Sequence, residues 1–289
     1  MNASASYVHD SVRPSEKTTM GTKTLWAFLA LTFGLSWVPM SLFIVFADQL
    51  TPLFGEMSST HPLFLLAVYA PGISGVFLVW RHYGLKGLGS FFRRLTLWRA
   101  PLQWWLFLLL GIPAIIYAAA AITGTIDEPF RFVPWTLVFP ALAQSLLLGP
   151  LGEEFGWRGL ALPLLQRRFS PLWASLVLGV IWAVWHAPAF LMSGTPQSAW
   201  SFGPFFLGLI AITVIMTPLF NASRGSLLIA MLYHLNIMNP IFPDAQPWDS
   251  YLLAIAAAVI VFLNRRQMFQ RGDGVTDVLM SEDRSVRSG

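Results

Sequence analysis

The sequence predicts an all-α fold, a polytopic membrane helix bundle of about eight transmembrane helices. Three observations predict it. Of the 289 residues, 55% are hydrophobic and only 11% are charged, against roughly 25% charged in a soluble domain. The apolar residues fall in runs of about 20, the length that crosses a bilayer core. No run alternates polar and apolar residues in the way the strands of a membrane barrel do. A water-soluble globular enzyme and a disordered chain are both excluded. Because cysteine is absent, disulfides, thiolate nucleophiles and zinc–cysteine sites are excluded as well.

Eight apolar runs are expected to form the helices: 24–47, 62–80, 102–122, 135–152, 171–192, 204–220, 225–242 and 249–263. Residues 1–23 are polar and form a cytoplasmic N-terminal segment. The first run is long, and no A-x-A-like site follows it, so it reads as an uncleaved anchor. The membrane domain occupies 24–263. Residues 264–289 are polar and charged and are expected to be a disordered cytoplasmic tail.

Lys and Arg placement gives the orientation. With eight spans, Arg131 alone lies on one side. The other 17 of the 18 basic residues lie opposite, in the N-terminal segment, the tail and the loops after the second, fourth and sixth runs. Both termini are therefore expected in the cytoplasm. The net charge of +4 follows from this rule and gives no reason to expect nucleic acid. Leu85 to Trp98 reads either as an amphipathic interfacial segment or as a positive-inside loop. No internal repeat is visible, which weakens a transporter reading.

Charged and ionisable groups inside a bilayer are costly and mark function by default. The candidates are few. Glu153 and Glu154 close the fourth run in the string GPLGEEFGWRGL, with Arg158 just beyond. His186 and His234 sit within the fifth and seventh runs. Glu154 and Arg158 are i,i+4 with the acid first, the favourable order for pairing. Glu153 lies about 100° round the helix from Glu154. One acid can thus be tied to arginine while the other faces a cavity. Gly152, Gly156 and Gly159 would let helices pack closely. Imidazole and carboxylate can together bind zinc and activate water, or act without metal as a general-base pair. Both options stay open. His186 and His234 are expected at different heights, about 22 Å and about 13 Å along their helices, unless the fifth helix starts outside the hydrocarbon or is tilted.

The order of these residues resembles the CPBP family of CAAX proteases and bacteriocin-processing (Abi) enzymes, which includes the type II CAAX prenyl endopeptidase. The resemblance rests on Glu153-Glu154-x-x-x-Arg158, then Trp182-x-x-x-His186, then His234 with a nearby asparagine. It covers about residues 62–242, and Ala70-Pro71-Gly72 and the loop GLKGLGSFFRRLTLWR are similar too. It implies an intramembrane, metalloprotease-like endopeptidase acting on a membrane-associated peptide or protein. It also implies roles: Glu153 and His186 activate water, Glu154 and Arg158 support the site, and His234 with an asparagine holds a metal or stabilises the oxyanion. Zinc, if bound, would be held by Glu153, His186 and His234. Two positions depart from the family. Trp182 stands where phenylalanine is usual. Met238 stands where Asn or Asp is usual, so Asn239 takes that role only if a π-bulge turns it round, and Asn236 is the other choice.

Rivals are a rhomboid-type serine protease using Ser74 in Gly72-Ile73-Ser74-Gly75, a non-catalytic scaffold or immunity protein on the same fold, and a proton-coupled transporter. The serine reading leaves both glutamates without a role, and Ser74→Ala is expected to leave proteolysis intact. Residence in the cytoplasmic membrane of a prokaryote is expected. Oligomeric state is not readable.

Overall fold

A computed structural model describes residues 20–280, Ser193 apart. Among the described residues every regular element is helical. All eight apolar runs form helices. Six helical segments are long and apolar enough to cross a membrane, and two are shorter.

Helix α1 (Thr22–Val45) is followed by the short α2 (Ala47–Phe54). Helix α3 (Pro62–Phe92) is capped by His61, whose Nδ1 accepts from the Leu63 N–H. Gly84 breaks it with φ 66°, a left-handed conformation that glycine adopts without a Cβ clash. The span thus ends near Tyr83, and Leu85–Phe92 leaves in a new direction before a 3₁₀ turn at Arg93–Thr96. Helix α4 (Leu102–Thr123) contains a π turn at Phe107–Gly111.

The fourth run is not one helix. Helix α5 (Val138–Leu147) stops, and α6 (150–166) starts after Gly149. Pro150 lacks an N–H and has a fixed φ suited to a first helical position. Glu153 and Glu154 therefore open a helix inside the apolar region, where they were expected to close one. Helix α7 (Pro171–Trp185), α8 (Phe202–Ala222), α9 (Leu227–Ile237) and α10 (Trp248–Leu263) follow, then a short α11 (Arg265–Phe269). The 11 residues of α9 rise about 16 Å, half a hydrocarbon core. Helix α8 is buried over most of its surface and forms the centre of the bundle.

Small residues bring α3 against α6. A Cβ on Gly72 would lie 2.5 Å from the Gly152 carbonyl oxygen, and one on Gly152 would lie 2.8 Å from the Val68 carbonyl oxygen. A Cβ on Gly156 would run into the Pro71 carbonyl. Gly72 and Gly75 thus serve helix packing, the ordinary use of small residues in membranes. Ser74 between them is buried, and its hydroxyl has no partner among the described residues. The nucleophile–histidine pair that a serine protease needs is absent there.

The segment after α10, expected to be disordered, packs back on the bundle as far as residue 280. Gln166 donates to the Val275 carbonyl (3.0 Å), Asn221 accepts from the Val275 N–H (3.0 Å), and Arg167 donates to the Thr276 carbonyl (2.7 Å). Val278 is buried. Polar composition alone suggested disorder, but here backbone groups of the segment satisfy polar side chains that helix packing has buried (Gln166) or half-buried (Arg167, Asn221). Residues 281–289 and 1–19 lie outside the described residues.

Arg94 completes this arrangement. It was expected in a cytoplasmic loop, yet it is 2% exposed. Its position follows from α6. Pro163 has no N–H, which frees the Gly159 carbonyl. The π turn at Trp157–Ala161 sends the Leu162 N–H to the Trp157 carbonyl, which frees the Arg158 carbonyl. Arg94 donates to both, at 2.8 and 3.4 Å, and to the carbonyls of Gly225 (2.9 Å) and Val278 (3.0 Å). One guanidinium thus satisfies the defects of α6 and ties them to the C-terminal segment.

Candidate active site

The first turns of α6 face α7, α8 and α9. Glu154 is fully buried and its Oε1 accepts twice, from Arg158 Nη1 at 3.0 Å and from His234 Nδ1 at 2.8 Å. The i,i+4 pair read from the sequence is therefore made, inside the protein. Arg158 also reaches Thr213 Oγ1 on α8 at 3.4 Å. Its guanidinium carbon lies 4.4 Å from the centre of the Trp182 ring, a cation–π contact.

Trp182 stands at the middle of the group. Its indole N–H donates to Glu153 Oε2 at 2.6 Å. The rings of His186 and His234 meet it edge-on at 5.7 and 5.2 Å. The two histidines, which helix arithmetic placed at different heights, touch one indole. His186 caps the end of α7, and its Nδ1 bonds the Trp182 carbonyl at 2.8 Å. A carbonyl only accepts, so Nδ1 carries the proton and the neutral ring offers its Nε2 lone pair. In His234 Nδ1 faces Glu154, so Nε2 is again the ring nitrogen left over. Gly149 lies beside it and leaves room for Met238: a Cβ there would lie 2.5 Å from Met238 Sδ and at ordinary contact distance, 3.6 Å, from His234 Nε2.

Glu153, His186 and His234 all line one cavity of about 610 Å³, within the usual range for small-ligand pockets. Its walls are mainly apolar, including Trp37, Met40, Phe64 and Phe205. The non-helical residue Leu148 lines it too, as expected of irregular backbone at membrane depth.

A family model described as type II CAAX prenyl endopeptidase Rce1-like matches residues 134–238. A CAAX prenyl protease 2 of Methanococcus maripaludis is 26% identical over 257 residues, 80% of this chain and 94% of that protein. Over these stretches the chain is similar to the CAAX prenyl endopeptidases. The matched stretch carries Glu153, Glu154, Arg158, His186 and His234, and stops one residue before Asn239.

The two candidate asparagines lie elsewhere. Helix α9 is regular to Ile237, without the π-bulge that Asn239 needed. Asn239 Oδ1 accepts from the Ile241 N–H at 3.1 Å, and Asn239 does not line the cavity, although Met238 and Pro240 do. Asn236 donates to the Leu108 carbonyl at 2.6 Å. The chain turns at Asn239 because Pro240 disfavours helix in the residue before it. The π turns fall in α4 and α6 instead.

Zinc coordination can be weighed on the donors. Two imidazoles and a carboxylate are suitable ligands, and each imidazole has a partner on its other nitrogen, the usual support of a metal ligand. Among the described residues no three such side chains converge on one point. Thr213, Gly149, Arg94 and the donor role of Trp182 were missed in the sequence. Only Trp182 carried a signal: an indole N–H inside an apolar helix needs an acceptor, and Glu153 was the nearest unassigned one.

Proposed function

We propose that this membrane endopeptidase hydrolyses its substrate with water activated by Glu153 and oriented by His186. The observation that carries the reading is that Glu153 and both histidines face a single apolar-walled cavity, each held by a separate hydrogen bond. Glu153 takes a proton from water as the water oxygen bonds to the scissile carbonyl carbon. The Nε2 lone pair of His186 accepts from the same water. General-base help of this kind contributes about 10²- to 10⁴-fold. The carbonyl π electrons move to oxygen, where His234 and the Glu154–Arg158 pair set the field. Collapse breaks the C–N bond, and the proton on Glu153 passes to the leaving nitrogen. Glu153, His186 and His234 are the donors a zinc ion would draw on, as a Lewis acid for the carbonyl, but they do not converge on one point in this structure.

The substrate class we favour is a membrane-anchored protein of CAAX type, since both matched descriptions name that chemistry. Bacteriocin and pheromone precursors are the competing class. We place the chain in the cytoplasmic membrane of a prokaryote with both termini in the cytoplasm, on the distribution of Lys and Arg. The position of Asn239 outside the cavity favours a second reading, a non-catalytic scaffold on the same fold.

The test is cleavage of a membrane-bound, prenylated CAAX substrate by purified wild type, Glu153→Ala and His186→Ala, beside a bacteriocin-type precursor. Loss of cleavage in both variants is expected. Equal activity in all three proteins refutes the assignment and leaves the scaffold. Metal content and activity with and without chelator decide the zinc question.

A further inference from the structure

Trp182 does more than wall the cavity. Phenylalanine, the residue usual at this position in the CPBP family, would supply the same aromatic wall and no hydrogen bond. Here the indole N–H lies 2.6 Å from Glu153 Oε2, and Trp182 is 1% exposed. The other carboxylate oxygen, Oε1, takes no protein hydrogen bond among the described residues, while Glu153 lines the cavity. The indole cannot swing away. The Arg158 guanidinium covers the ring at 4.4 Å, and His186 and His234 pack against it. The Trp182 carbonyl also fixes the tautomer of His186. One residue therefore touches Glu153, His186 and His234 together.

We infer that Trp182 is a positioning residue for the water-activating carboxylate: its N–H pins one oxygen of Glu153 and leaves the other aimed at the reacting water. The inference rests on Glu153 being the base. Without the N–H the carboxylate can rotate about its terminal torsion, which has a broad preference, and the fraction correctly aimed falls. Substrate binding in the apolar cavity does not involve this hydrogen bond, so the effect belongs in kcat and not in KM.

The decisive variant replaces Trp182 with 3-benzothienylalanine, in which sulfur takes the place of the indole N–H at nearly unchanged shape. Trp182→Phe and Glu153→Ala are measured beside it. A hydrogen bond to a charged group predicts a kcat about ten- to hundredfold lower for the benzothienyl protein, with KM close to wild type and an unfolding temperature lower by a few degrees. Trp182→Phe should lose at least as much. If the benzothienyl protein keeps wild-type kcat while Glu153→Ala is inactive, the positioning role is refuted and the base assignment stands. A change confined to KM or to unfolding temperature also refutes it, because that outcome marks a packing residue. Activity retained in Glu153→Ala refutes the base assignment itself.

Discussion

Arg94→Met tests the claim that a single buried guanidinium holds the supporting helix together. The substitution keeps the length of the side chain and removes every donor. Three carbonyls within 3.0 Å lose their partner, those of Gly159, Gly225 and Val278. At about 1 kcal/mol net for each bond, the loss is about 3 kcal/mol. The contact of the Arg94 guanidinium with the Phe220 ring, at 5.3 Å, adds about 1 kcal/mol. For a chain of this size the sum corresponds to a fall in unfolding temperature on the order of 10 °C. The assay is thermal unfolding of purified protein in detergent, followed by tryptophan fluorescence. The control is Arg93→Met. Arg93 is adjacent, carries the same charge and is exposed, so its replacement should shift stability by less than about 0.5 kcal/mol. Equal effects from the two substitutions would show that only the charge of this segment matters, and the account of α6 given above would be wrong.

Other predictions follow from the site. Arg158→Ala leaves Glu154 buried with His234 as its one remaining partner and should destabilise by about 3 to 5 kcal/mol. A combined Glu154→Leu, Arg158→Met protein should regain most of that stability while staying inactive, and failure to regain it argues that the pair is intrinsically stabilising. Asn239→Ala should change kcat less than tenfold, whereas loss of an oxyanion donor costs about 10²- to 10³-fold, so a drop of that size returns Asn239 to the site. Gly72→Ala forces a methyl against the Gly152 carbonyl and should cost about 1 to 3 kcal/mol, together with activity, because the helix displaced carries Glu153. Normal unfolding and turnover in Gly72→Ala would refute the close approach of α3 and α6.

The sequence by itself determined the fold class and most members of the candidate site. Apolar run length is a local property, so the eight apolar runs were legible as helical, though not the break at Gly149 that divides the fourth, and the low charge count left few groups available for a site. The Glu154–Arg158 pair was legible because i,i+4 spacing is fixed by the helix. What only the tertiary structure decided depends on contacts between elements distant in sequence. Arg94 reads as a loop charge until the carbonyls freed by the π turn and Pro163 surround it. Residues 270–280 read as a tail until Gln166, Arg167 and Asn221 claim their backbone. Asn239 reads as a site residue until α9 stops two residues before it. Trp182 reads as a wall until Glu153 is seen 2.6 Å from its N–H. Helical periodicity places a side chain on a face. It does not say which buried donor that face meets, and in a membrane interior no water stands in for a missing partner.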